Sequence, residues 1–314
     1  MVYGIVALIL FCQTAKGVFG KKTSSHVEDL GDSFMFNLLR MAFCILIGAA
    51  MVAFDGAIGN LHIEWGMLLI CILSGATNAA FLVGWILAVQ KNTMVAVDVG
   101  LTLGSIIPAV LCAILFGEAI SVPKMIGFSL ILAATVILSG GNKRRARGSL
   151  VGILLLILAS VGEGLTGFSQ QLFKQYYTDA GAHTHGVVYP KTVYHFYTYV
   201  FAALILLAVL VIYRLSARKK NERTERNKRI FSVPPLVVLY IFIMAVCLFA
   251  ANYLQTVATN DFGVESQILY PVLKGGCLVT VNFTAMLFFG EKITWRSALG
   301  SFVALGGIVC MNLL

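Results

Sequence analysis

Apolar stretches of about 20 residues follow one another along the whole chain, and nearly every charge falls in the short gaps between them. As a helix, each stretch is long enough to cross roughly 30 Å of hydrocarbon. A membrane barrel would instead alternate apolar and polar positions. Runs such as 149–158 and 200–212 do not alternate. Of 314 residues, 59% are hydrophobic and 12% charged, with a mean hydropathy of +0.89. A soluble domain carries roughly 25% charged residues, so this chain has too few to cover a surface facing water. The sequence predicts an all-α integral membrane protein.

Ten spans are expected, at 2–20, 33–54, 64–90, 93–116, 122–140, 149–173, 192–215, 235–258, 264–289 and 295–313. Charge runs, Gly and Pro separate them, with Pro234 and Pro235 at a helix start. The first span has no basic segment before it and reads as retained, not as a cleaved signal peptide. A net charge of +9 would suit nucleic acid, but its confinement to inter-span gaps is the pattern of topogenic charge, so no nucleic-acid partner is expected. The seven cysteines (12, 44, 71, 112, 247, 277 and 310) lie within apolar runs without metal-ligand spacing, and behave as small hydrophobes.

Internal repetition is the most informative feature. Phe116-Gly117-Glu118 ends the fourth span and Phe289-Gly290-Glu291 the ninth. In each copy Ile follows the Glu by two residues (Ile120, Ile293) and Gly by nine (Gly127, Gly300), with Leu132 and Leu305, and Val136 and Val309, in the same register. Five spans per unit is an odd number, so the second unit enters from the opposite face. The expected organisation is a first five-helix repeat at 1–140, a basic linker at 141–148 and a second, inverted repeat at 149–314. Inverted repeats build many secondary transporters, with the substrate site near the midplane where they meet. Basic residues crowd into alternate connections: Lys21, Lys22, Lys91, 143–147, 218–229, Lys292 and Arg296. The positive-inside rule then puts these in the cytoplasm and both termini outside a cell membrane. Glu118 and Glu291 read as helix-boundary residues, each ahead of an N-cap (Ser121, Thr294) and a positive dipole end.

On these residues the chain resembles the drug/metabolite transporter superfamily, the bacterial EamA-type members most of all. The Gly-Glu pair closing a fourth span, the Gly-containing fifth span and their repetition carry the resemblance, which covers nearly the whole chain. It implies a ten-helix carrier that exports, imports or exchanges small metabolites such as amino acids, sugar phosphates, nucleotide sugars or organic cations. It also implies that Lys274 is the positional counterpart of a substrate-contacting lysine on the ninth helix of nucleotide-sugar transporters. Arg40 stands where relatives often carry a basic residue, and is a candidate anion contact.

Ionisable residues within spans are costly unless paired or hydrated, which makes each a candidate site residue. Lys274 sits about mid-span beside Tyr270, Pro271, Gly275 and Gly276. There it would hold a carboxylate or phosphate, or else pair with Asp98 or Glu163. Asp98 lies early in the fourth span, which also carries Pro108, matching the broken helices expected around transporter sites; it either faces the same cavity or is wet at the interface. Glu163, mid-span between two glycines, is a candidate to load and release protons, or to pair with Lys274 or Lys16. Lys16, near a span end, is expected to snorkel to headgroups. Asn78 and Trp85 share a face of the third span, Asn252 and Gln255 one of the eighth, and Tyr194, His195 and Tyr197 one end of the seventh. With Tyr270 these would supply aromatic walls and polar anchors; alternatively they form interfacial belts and interhelical ties. His183 and His185, without further ligands, do not make a metal site.

These readings favour a secondary carrier, with no enzymatic activity and no cofactor, for a small polar anionic or zwitterionic metabolite. Its partners would be the substrate, the bilayer, and protons or an exchanged solute, in a monomer or homodimer. No Walker-type or catalytic Ser-His-Asp pattern is present. An organic-cation exporter of the same fold is the first alternative. A membrane enzyme acting on lipid-linked substrate, using Asp179 and the loop histidines, and a non-transporting scaffold or sensor are the others.

Overall fold

The computed structural model describes residues 2–27, 30–91, 94–117, 121–139, 150–181, 186–219, 234–290 and 295–312. All regular structure among them is helical: α1 (Val2–Ser24), α2 (Leu30–Phe54), a 3-10 turn (Ala57–Leu61), α3 (Trp65–Lys91), α4 (Met94–Gly104), α5 (Ile106–Phe116), α6 (Val122–Ser139), α7 (Leu150–Tyr177), α8 (Lys191–Lys219), α9 (Pro235–Asn260), α10 (Ser266–Phe289) and α11 (Trp295–Asn312). The linker at 141–148, most of 218–229, His183, His185, Glu118, Glu291 and Thr294 lie outside the described residues.

Among the described residues, six helices are long and apolar enough to cross a membrane: Val2–Ser24, Leu30–Phe54, Trp65–Gln90, Lys191–Ser216, Pro235–Asn260 and Ile268–Phe289. Large apolar side chains such as Leu46, Ile114, Leu207 and Phe302 point outward. Water would penalise that exposure and lipid does not. This is an all-α membrane protein.

The predicted spans and the helices agree to within a few residues, with one difference of kind. The segment read as a single span at 93–116 is two helices, α4 and α5, which meet at Ser105. The Ser105 hydroxyl donates to the Thr102 carbonyl at 2.7 Å, and Pro108 falls in the first turn of α5, where its missing N–H costs nothing. Pro271, by contrast, lies inside an unbroken α10.

Helices from early in the chain pack on helices from late in it. The most extensive pairings are α3 with α7, α6 with α11, α1 with α9 and α2 with α8, while α10 lies along α4, α1 and α11. Lipid gives no hydrophobic drive for helices to associate, so close approach over small residues and interhelical hydrogen bonds hold them. Thr77 and Thr166 hydroxyls meet at 3.0 Å between α3 and α7, and Thr14 donates to Thr280 at 2.8 Å between α1 and α10. Both Phe-Gly-Glu copies end their helix in the same way. Gly117 (φ 65°, ψ 23°) and Gly290 (φ 62°, ψ 22°) are left-handed C-caps, a conformation that penalises a side chain.

On α7, a Cβ added to Gly162 would lie 2.6 Å from the Phe81 nitrogen of α3, whereas one on Gly152 would meet nothing within 4 Å. Thermal unfolding in detergent should therefore separate the two. Gly162→Ala is expected to lose about 1–3 kcal/mol by overpacking, while Gly152→Ala stays neutral or gains slightly from helix propensity.

Candidate functional site

The charges of the apolar interior converge where α1, α3, α4, α7 and α10 meet. Lys274 Nζ lies 2.5 Å from Glu163 Oε1, with both side chains largely buried. Of the partners open to Lys274 in the sequence, Glu163 is the one it takes. Helix geometry brings them together: α7 and α10 each carry small residues next to the charge (Gly162 and Gly164; Gly275 and Gly276). The second carboxylate oxygen, Oε2, has no hydrogen-bond partner.

Two cavities adjoin this pair, and Gln13, Lys16, Glu163, Lys274 and Cys277 line both. The first cavity adds Trp85 and Asp98; the second adds Asn78, Asn252, Gln255 and Tyr270. Both are narrow, with room for a few water molecules at most. Asp98 makes no ion pair among the described residues and is half-buried. Asn78, 1% exposed, presents an amide whose oxygen and nitrogen both lack a partner. Such groups are costly to bury and rarely left so. The Tyr270 hydroxyl sits 2.9 Å from the Gly167 carbonyl and 3.0 Å from Gln170 Oε1, which compete for its proton. Asn252 donates to the Tyr199 hydroxyl at 3.1 Å.

Seven of the sequence candidates thus line the cavities with Glu163: Lys274, Asp98, Tyr270, Asn78, Trp85, Asn252 and Gln255. Three do not. Tyr194 is stacked on Phe173 with ring centroids 4.5 Å apart, its hydroxyl set between Ser74 and Ser169. Tyr197 donates to the Leu61 carbonyl at 2.6 Å, at the 3-10 turn. Both hold helices together, the alternative their residue types had left open. Arg40 is fully buried behind Trp85, its guanidinium carbon 5.4 Å from the ring centroid.

Lys16 differs from its expectation. It does not reach for headgroups: it is 5% exposed, lines both cavities and sits 5.0 Å from the Phe81 ring centroid. Its helix runs four residues beyond the predicted span, which places Lys16 deeper than a span ending at residue 20 would. Gln13, one turn earlier on the same face, was a signal available in the sequence, since Gln13 and Lys16 form a polar pair in an otherwise apolar stretch. No group of three or more His, Cys, Asp or Glu side chains able to hold a metal occurs among the described residues.

No family model matches this sequence, and no curated protein matches it. Solved structures do match. One, described as "Crystal structure of protein", is similar over 98% of this chain and 97% of its own, with a TM-score of 0.67 at 14% identity. At that identity the likeness speaks for the fold alone.

Removing one member of a buried pair leaves the other charge unmatched. Lys274→Ala and Glu163→Gln should each destabilise the protein, Lys274→Ala by about 3–5 kcal/mol and Glu163→Gln by less, because glutamine still accepts a hydrogen bond. The double variant Glu163→Gln/Lys274→Met should recover most of the loss. Thermal melts of the four proteins would expose an additive result, which would mean that the pair is not coupled.

Proposed function

We propose that this chain is a secondary transporter of the drug/metabolite transporter superfamily, EamA-type, with ten membrane spans in two inverted five-helix repeats, 1–140 and 149–314, joined by the basic linker at 141–148. It moves a small polar metabolite, anionic or zwitterionic, across the cell membrane by alternating access, with both termini extracytoplasmic. The observation that carries this reading is the buried Glu163–Lys274 pair, which lines two cavities inside apolar helices. Intramembrane charge of this kind marks substrate and ion pathways.

The packing supports the repeat. Exchanging the first five spans for the second five turns the α3–α7 pairing into α9–α1, and both are among the most extensive in the molecule. The α2–α8 and α6–α11 pairings, and α10 with α4 and α5, map onto themselves. The matching caps at Gly117 and Gly290 point the same way. Narrow cavities fit a carrier whose helices part to admit substrate. Glu163, with one free oxygen at the boundary of the cavities, is the candidate for proton coupling.

The test is uptake by proteoliposomes, offered labelled amino acids, sugar phosphates, nucleotides and organic cations with and without a pH gradient. Saturable uptake of an anionic or zwitterionic solute is expected, reduced about tenfold or more in Lys274→Ala, the scale of one lost charge-assisted contact. Glu163→Gln should remove the dependence on the pH gradient. Uptake of organic cations alone would select the exporter alternative, which the unpaired Asp98 favours. If no solute crosses, the carrier reading fails.

A further inference from the structure

Lys16 and Arg40 flank one side chain. Lys16 Nζ is 5.8 Å and Arg40 Cζ 5.4 Å from the ring centroid of Trp85. Gly20 makes the room for that indole, since a Cβ there would lie 2.1 Å from it. Neither cation forms a salt bridge among the described residues. Two of the three guanidinium nitrogens of Arg40, Nε and Nη1, are buried with no acceptor. The third, Nη2, is 3.5 Å from the Met244 sulfur, a weak acceptor. A ring face offsets part of the cost of burying a cation, far less than an anion does. Glu163 is already engaged by Lys274 and lines the first cavity together with Asp98 and Lys16, so of the two cations Arg40 is the one with no acidic side chain near it among the described residues.

Resting on the carrier reading, we propose that Lys16 and Arg40 are the seat of the substrate's carboxylate, with Trp85 as the ring between them. Lys16, which lines both cavities, meets the anion first. Arg40, 1% exposed, is reached when the indole gives way, and its planar fork of donors matches two carboxylate oxygens. A carboxylate suits the seat better than a phosphate dianion, because Asp98 shares the first cavity's lining and repels the second charge.

The test uses the purified full chain at constant ionic strength, with acetate and lactate as carboxylate probes, inorganic phosphate as the second arm and methylammonium as the cation control. Carboxylates should raise the wild-type melting midpoint by about 3–5 °C. The shift should vanish in Lys16→Met and in Arg40→Met. Without ligand, Arg40→Met should melt at or above wild type, because it removes an unmatched charge; a purely structural cation would give the reverse. A second readout does not depend on how those variants fold. With Trp65→Phe and Trp295→Phe, Trp85 is the sole tryptophan, and its emission should change on adding acetate. A phosphate-only response overturns the carboxylate assignment. An unchanged Trp85 emission, or a carboxylate shift that persists in both variants, overturns the seat. Uptake of a solute without any carboxylate effect leaves the carrier standing and removes this inference. Carboxylate binding at these residues with no uptake of any solute does the opposite.

Discussion

Taking a carboxylate and an ammonium out of water costs several kcal/mol each, and their mutual attraction repays this only at close range and good geometry. Glu163 and Lys274 meet that condition at 2.5 Å, and much of the interior is arranged around their meeting. They project from α7 and α10, two helices that do not pack extensively on each other. The space between them is held open by α1, α3 and α4, whose polar side chains then become the walls of the two cavities. Without the pair, the same helices would leave two single charges in an apolar interior and would have reason to close over it.

What brings α7 to that position is backbone proximity, not side-chain interdigitation. Gly162 touches the backbone of α3, and Gly104, at the end of α4, would place a Cβ 2.3 Å from the Ser160 carbonyl oxygen of α7. In lipid this is how helices gain attraction: dispersion over a close surface, with hydroxyl pairs such as Thr77 with Thr166 added where the backbones allow. Positions so tightly fitted hold α7 against α3, and α10 makes similarly close approaches at Gly275 and Gly276, beside the bulkier Tyr270 and Leu273.

Much of this was legible in the residues. Helical class and helix positions follow from apolar runs, which report directly on length and burial. Lys274, Glu163 and Asp98 stood out because an ionisable side chain in such a run has few places to go. The choice of partner for Lys274 was not legible, since Asp98 and Glu163 lie on different helices and a sequence does not say which helix is the neighbour. Tyr194 and Tyr197 share an end of α8 with His195, but their hydroxyls are used by Ser74, Ser169 and Leu61, partners 20 or more residues away. For Lys16 the local signal misleads: the charges at Lys21 and Lys22 point to a span ending at residue 20, while the helix continues to Ser24. Pro108 hinted at a break in the fourth span, yet the break falls before it, at Ser105, where Gly104 presses on a neighbouring helix.

That break limits how the segment can turn. An interrupted helix exposes carbonyl and amide groups that no intrahelical bond satisfies, and hydrocarbon offers them nothing. At this one the Thr102 carbonyl is met by both the nitrogen and the hydroxyl of Ser105, and Pro108 has no N–H to strand. The remaining groups are tolerable only while they face protein or water. Rotation of α4 about its own axis would turn those groups towards hydrocarbon, so the break favours the orientation in which Asp98, carried on the same helix, faces the cavity it shares with Lys16 and Lys274.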